Sequence, residues 1–320
     1  MKENKSLISE SPFIYAAADT SLIMRDVLIA LLPCVALAVY VYGPGVLLTF
    51  AVSVGSCVIL EAVYQKLMNK PVRAGDLSAA VTGLIIAMNL PPFASPLLVV
   101  LGAFIAIIIV KQLFGGIGRN FVNPALVAII VLGMSFPQEM KAWVVNDKMT
   151  PVIVEAAAGA TTGPTALELF KLNAALPSDL QMFIGLKNGT LGQLCSLAVI
   201  AGGIYLVARR VISPVLSSIF FLTVAALTLM WGYSPLFQIF AGGTLFFGIF
   251  MANDCVTAPV TAKGKLIAGL LYGFLSMFFR AYSLNVDGMG YALLFVNILT
   301  PRIDALTMPK PAGGKGRRIL

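Results

Sequence analysis

The sequence predicts an all-α integral membrane protein of about ten transmembrane helices, arranged as two inverted five-helix halves with short broken helices. Three observations predict it. Of 320 residues, 59% are hydrophobic and only 11% charged, less than half of the roughly 25% charge content of a soluble domain. Mean hydropathy is +0.93. The apolar residues fall into ten runs, 27–43, 45–65, 77–90, 96–114, 123–136, 191–208, 211–231, 236–252, 265–281 and 289–303. The third, fifth and tenth are short and flanked by Pro or Gly, as at Asn89-Leu90-Pro91-Pro92 and Asn123-Pro124. Broken spans leave backbone groups that lipid cannot satisfy, so they are expected to line an internal cavity.

The charges, laid on these runs, set the expected orientation. With the N-terminus in the cytoplasm, 17 of the 22 Lys and Arg fall on the cytoplasmic side, including those at 66–73, Lys111, Arg119, Arg209, Arg210, Lys263, Lys265 and everything after residue 301. The one long outer loop, 137–190, balances to minus one. The chain therefore divides into a cytoplasmic segment 1–26, a first membrane half 27–136, an extracytoplasmic loop 137–190, a second half 191–303 and a basic cytoplasmic tail 304–320. Both termini are expected in the cytoplasm of a bacterial or archaeal cell, the chain crossing its cytoplasmic (inner) membrane many times. The first 24 residues lack the short apolar core and cleavage site of a signal peptide. This distribution accounts for the net charge of +8 as topology and surface anchoring, so no nucleic-acid partner is expected. Five spans on each side of the loop make the second half start from the opposite face, which is the inverted-repeat arrangement. Met88-Asn89 and Met251-Ala252-Asn253-Asp254 are the faint sequence sign of it.

The chain contains no histidine. That excludes His-ligated haem, His-zinc sites, and Ser-His or Cys-His nucleophiles within it. Its four cysteines, Cys34, Cys57, Cys195 and Cys255, are too far apart to form a CxxC pair and read as packing residues. No metal site and no catalytic residue acting alone are expected.

Three groups of residues carry the remaining chemistry. The outer loop places Thr161, Thr162 and Thr165 before an amphipathic stretch, a pattern of helix capping by Thr162 or Thr165 that also offers hydroxyls for covalent phosphate chemistry. Gly115, Gly116 and Gly118 with Arg119, Asn120 and Asn123 make a tight turn whose backbone could also close on a ligand. Among acids in or beside the spans, Asp254 with Asn253 and the nearby Thr257 and Thr261 is an ion-pathway candidate, as are Asp287 and Asp304, for which helix-end charge is the plainer reading. Glu61 reads as a carboxylate near a helix end, snorkelling to the inner surface. Phe246, Phe247 and Phe250 read as packing.

The runs Gly75 to Pro92, Lys111 to Ala125, Phe136-Pro137 to Trp143, Phe250 to Ala258 with Lys263-Gly264-Lys265, and Asp287 to Pro301 occur in register with a known family. Over nearly all of 20–310 the chain resembles the D subunit of the Rnf complex, the ion-translocating membrane ferredoxin:NAD oxidoreductase. It is more distantly similar to the B subunit of the sodium-translocating NADH:quinone reductase. Gln112, where that second relative tends to have Glu, and a short N-terminal extension favour Rnf.

The resemblance implies a hetero-oligomeric complex with other Rnf subunits, and FMN joined through its phosphate to a loop threonine by a separate flavin transferase. Thr162-Gly163-Pro164-Thr165-Ala166-Leu167 matches that motif with Thr165 as acceptor; Pro164 stands where alanine is usual, and Thr161 is the competing register. It also implies a noncovalent riboflavin near the glycine turn, and Na+ or H+ as coupling ion. From the residues alone, a free-standing channel or carrier for a small polar solute is the rival reading.

Overall fold

In the computed structural model of the chain the described residues are 20–145, 148–149, 151–157, 162–184, 186–282 and 287–309. The segment 1–19, Asp147, Thr161 and most of the basic tail lie outside them. Among the described residues the structure is all α, with an isolated bridge between Val144 and Thr162.

The first half consists of α1 (Thr20–Tyr42), α2 (Val46–Leu67), α3 (Ser78–Met88), α4 (Pro96–Phe104, continuing as a π-helix Ile105–Gln112) and α5 (Pro124–Ser135). Four short loop helices follow: α6 (Pro137–Met140), α7 (Pro151–Ala156), α8 (Ala166–Lys171) and α9 (Asp179–Ile184). The second half is α10 (Ser196–Ala208), α11 (Pro214–Met230), α12 (Pro235–Phe240), α13 (Thr244–Phe246, continuing as a π-helix Phe247–Met251), α14 (Ala262–Tyr282) and α15 (Met289–Thr307). By length and composition α1, α2 and α14 can each cross a membrane unaided.

Local sequence starts these helices. Ser95-Pro96, Asn123-Pro124 and Ser234-Pro235 each put a capping side chain before a proline at the first turn, and the three caps accept from Leu98, Leu126 and Phe237 N–H respectively. The proline lacks the N–H that would otherwise be orphaned there. Two spans differ from expectation. The tenth is not short: α15 has 19 residues and contains Pro301. The eighth is not continuous, because Ala241-Gly242-Gly243 separates α12 from α13. Gly242 has φ +59°, and a Cβ there would strike Leu167 and Asp287.

The inverted repeat is visible in matching hydrogen bonds. Ser53 Oγ on α2 donates to Gly83 O on α3 at 2.7 Å, and Ser217 Oγ on α11 donates to Gly248 O on the π-helix after α13, also at 2.7 Å. Asn89 Nδ2 donates to Ile85 O at 2.8 Å, and Asn253 Nδ2 to Ile249 O at 3.0 Å. Each asparagine thus supplies a donor to a carbonyl that the broken helix leaves over. The first break lies at the loop end of the bundle, where Pro91-Pro92 follow the helix and Leu191 N–H bonds Leu90 O. The second lies at the opposite end.

Glycines let these elements approach closely, the usual means of helix association where lipid removes the hydrophobic drive. A Cβ on Gly83 would sit 2.8 Å from the Ser53 carbonyl oxygen, whereas one on Gly55 would meet nothing within 4 Å. Gly83→Ala is therefore expected to destabilise the protein by about 1–3 kcal/mol through overpacking, with Gly55→Ala near neutral. Thermal unfolding in detergent reads the difference, and equal midpoints would contradict it.

Candidate functional site

Two cavities lie on either side of the broken helix α3. The loop-end cavity holds about 190 Å³ of free space. Its wall includes Asn89, Ile129, Ile130, Trp143, Thr165, Glu168, Asn188, Thr190, Gln193, Phe247, Asp287 and Tyr291, so it runs from the loop between the two halves to the first helix break and the second π-helix. The opposite-end cavity is smaller, about 50 Å³, and is bordered by Ser78, Thr82, Ile85, Lys111, Asn120, Asn123 and Asp254.

At the lip of the larger cavity Thr165 is the N-cap of α8. Its hydroxyl accepts from Glu168 N–H and donates to Glu168 Oε2 at 3.1 Å, while Glu168 Oε2 accepts from Thr165 N–H at 2.7 Å. This capping box rotates the hydroxyl into one place. Asn188 Nδ2 donates to the carbonyls of Gly163 and Pro164 at 2.6 and 3.2 Å, and Gly163 N–H bonds Trp143 O. Proline at 164 fits this held turn because its carbonyl, not an N–H, makes the contact. Thr162 is exposed, and Thr161 lies outside the described residues.

The wall is suited to a flat aromatic group with polar edges. Apolar side chains and amides line it together, Lys141 lines the same cavity as Thr165, and the buried Thr190 hydroxyl has no partner among the described residues. An orphaned buried hydroxyl is expected to face a ligand or water.

Asp287 joins this cavity to a buried cluster that sequence reasoning missed. Its Oδ2 accepts from Gly243 N–H at 2.6 Å, and its Oδ1 from Arg280 Nη2 at 3.3 Å. Arg280, 4% exposed at its side chain, also donates to Gln238 O, Gln238 Oε1 and Thr244 Oγ1 at 2.8–2.9 Å. One guanidinium therefore fixes the α12–α13 turn beside the cavity. The signal was a lone arginine at the end of an apolar run.

The other expected residues divide. Asn120 and Asn123 reach the opposite-end cavity; Gly115, Gly116 and Arg119 form a turn outside its wall, with the Arg119 side chain over Gly115. Asn123 Oδ1 caps α5, and Asn120 Nδ2 donates to Val122 O. At about 50 Å³ this space holds a few waters, not an isoalloxazine ring. Asp254 borders it and accepts from Thr257 Oγ1 at 3.0 Å. Asn253 is engaged by Ser217 and two carbonyls, and Asp304 accepts from Val260 N–H. Phe246 and Phe250 pack on each other at 5.3 Å.

Glu61 corrects expectation most clearly. It does not snorkel to a surface: 2% exposed, it pairs with Lys111 at 2.9 Å and accepts from Gln112 Nε2 at 2.6 Å. Lys111 also donates to Ser78 Oγ, which in turn donates to Asp76. Lys111 is therefore a buried counter-ion, not a surface topology charge.

A family model described as the NQR2, RnfD, RnfE family matches residues 7–313. The chain belongs to this family. It is 39% identical over 315 residues to the D subunit of the Na(+)-translocating ferredoxin:NAD(+) oxidoreductase complex of Acetobacterium woodii, covering 98% of this chain and 97% of the relative. It is 34% identical to the D subunit of the proton-translocating ferredoxin:NAD(+) oxidoreductase complex of Clostridium ljungdahlii, at 98% of both chains. A third relative, the D subunit of the ion-translocating oxidoreductase complex of Mannheimia succiniciproducens, is 33% identical over 96% of this chain and 97% of its own. Similarity to both a sodium and a proton system agrees with a sequence that does not choose between the ions.

Within the loop, ahead of α10, Lys187 is held by neutral acceptors. Its amine donates to Ser196 Oγ at 2.7 Å and to Phe240 O. Burial pushes its pKa down to about 7, and a neutral amine has two N–H groups for those two acceptors. Because the folded value lies below the ordinary 10.5, folding releases a proton; stability is expected to rise with pH from about 7 to about 10.5. Lys187→Met should flatten that part of a Tm-against-pH curve, and an unchanged slope would contradict the assignment.

Proposed function

We propose that this chain is the flavin-carrying membrane subunit of an Rnf-type complex that couples electron transfer between ferredoxin and NAD to Na+ or H+ translocation. It acts with other Rnf subunits and is matured by a flavin transferase. The observation that carries the reading is the position of the Thr165 hydroxyl, oriented by Glu168, at the mouth of a cavity that reaches the helix break at Asn89. FMN, esterified there through its phosphate, would supply one- and two-electron transfer at the outer end of the protein.

The chain's own residues do the rest. Lys141, which lines the same cavity, would offset the charge of a phosphate held there. Asn188 holds the Gly163-Pro164 turn so that Thr165 faces inward, and Thr190, Asn89 and Gln193 offer hydrogen bonds to polar ring edges. Asp287, fixed by Arg280, sets the far wall. A noncovalent riboflavin at Asn120 and Asn123 would require the opposite-end cavity to widen. The Lys and Arg distribution supports both termini lying in the cytoplasm and the Thr165 loop lying outside. Expression with the flavin transferase, followed by denaturing gel electrophoresis under ultraviolet light, tests the reading: a fluorescent band is expected, and a colourless chain would favour a channel or carrier.

A further inference from the structure

A groove with about 620 Å³ of free space lies between α10 and α11. The two helices are joined by the turn 209–213 but make little contact along their length, and α12 and the π-helix after α13 floor the gap between them. Its walls are apolar apart from Ser217 and Ser218. Ser217 is already engaged, donating to Gly248 O and accepting from Asn253 Nδ2. Whatever fills the groove therefore meets almost only hydrocarbon. At one end the turn closes it, placing Arg209 and Arg210 directly after the lining residue Ala208.

The two arginines leave this mouth positive. Arg209 gives Nε to Asp26 Oδ2 at 3.2 Å and stays 52% exposed at its side chain. Arg210 is exposed and has no partner among the described residues. It also sits in a strained backbone position, with φ +58°. There it ends α10, its N–H bonding Val207 O and the next N–H, of Val211, bonding Leu206 O. Glycine is the usual residue at such a helix end because it has no Cβ. A cation suits a helix C-terminus, but Arg209 already meets that need, so the charge at 210 calls for another explanation.

The depth of the groove points to its occupant. On α10 the lining runs from Ile200 to Ala208 and on α11 from Pro214 to Phe221, about 12 and 10 Å of helix. That is less than half of a hydrocarbon core about 30 Å thick, the depth of one lipid leaflet and not of a spanning partner helix. A packing helix would also use small residues on this face, yet the α10 glycines are filled from within. A Cβ on Gly202 would strike Ala30 O, and one on Gly203 would strike Ile249. We propose that the groove binds an anionic phospholipid, one acyl chain lying between α10 and α11 and the phosphate held by Arg209 and Arg210. Basic pockets between membrane helices suit such headgroups, and guanidinium N–H groups donate to phosphate oxygens in pairs. The inference goes beyond the electron-transfer reading and rests only on the chain being a membrane protein.

The test places the whole complex in proteoliposomes of phosphatidylcholine and phosphatidylglycerol, with a trace of one or the other lipid carrying a photoreactive diazirine in its acyl chain. After irradiation, mass spectrometry of the peptides locates the label. It is expected on Ile200–Ala208 and Pro214–Phe221. The phosphatidylglycerol probe should label them at least about fivefold more than the phosphatidylcholine probe, since each arginine near the headgroup favours an anion by roughly that factor. Arg210→Gly should reduce this preference about fivefold, and its folding is not at risk because glycine relieves the positive φ. Ser218→Phe, which puts a ring into the groove, should remove the label from both segments. Equal labelling by the two probes in the parent complex overturns the proposal, as does a preference that survives Arg210→Gly or a groove label that survives Ser218→Phe. Parent segments that take up neither probe overturn it in favour of a partner helix seated in the groove. Flavin does not enter the readout, so these outcomes stand apart from the flavin reading.

Discussion

Thr165→Ala is expected to abolish covalent flavin, reducing fluorescence of the denatured chain to background. The substitution removes the hydroxyl that would form the phosphoester, and Thr162 does not replace it, being exposed and part of the turn beyond Gly163. Loss of the helix cap also costs about 1 kcal/mol, too little by itself to unfold the protein, and the rest of the loop remains tied by Asn188 and Trp143. Thr165→Ser keeps both oxygen and cap, so fluorescence should survive in that variant. Thr161→Ala should leave it untouched. Fluorescence that persists in Thr165→Ala and vanishes in Thr161→Ala would move the site to the competing register.

Lys111→Met is expected to be the most destabilising single change, by about 3–5 kcal/mol, because it strands the Glu61 carboxylate without a counter-charge in the interior. Gln112 would still donate to one oxygen of Glu61, but an amide does not neutralise charge. The double variant Lys111→Met with Glu61→Met removes both charges and should recover most of the lost stability, since buried pairs contribute little net beyond a well-packed apolar pair. Thermal unfolding of the purified protein in detergent measures both. A single variant as stable as the parent, or a double variant no better than the single, would show that the pair is solvated. The same geometry explains a choice at 112: a carboxylate there would face Glu61 across 2.6 Å and demand a second proton or cation, whereas glutamine meets Glu61 as a donor.

Much of the architecture was legible because membrane helices report themselves through local composition. The helix starts at Pro96, Pro124 and Pro235 follow from the Ser or Asn before each proline, and the break at Asn89 follows from Leu90-Pro91-Pro92. Asn253 stands out in the sequence beside Asp254, but its match to Asn89 rests on hydrogen bonds to carbonyls four residues back in both halves. The break at Gly242 was hidden because an apolar run with two glycines reads the same whether it is one helix or two. Pro301 misled in the other direction: a proline near a helix end reads as a terminus, but α15 continues through it to Thr307.

The candidate site divides in the same way. Thr165, the proposed attachment point, was singled out by a short motif of consecutive residues, and the structure sets it at the lip of the loop-end cavity. Arg280, Thr190, Lys187 and the Glu61–Lys111 pair could not be singled out in this way, since each acquires its role from residues distant in the chain; Lys111 meets Glu61 across 50 positions.

The sequence by itself determined that this protein is an all-α membrane protein of the Rnf D type, because hydropathy, proline breaks and long blocks in register are properties of neighbouring residues. The tertiary structure alone decided which charges are buried and which polar groups share a cavity. Those outcomes depend on helix packing, where a partner on another helix decides whether a carboxylate such as Glu61 meets water or lysine.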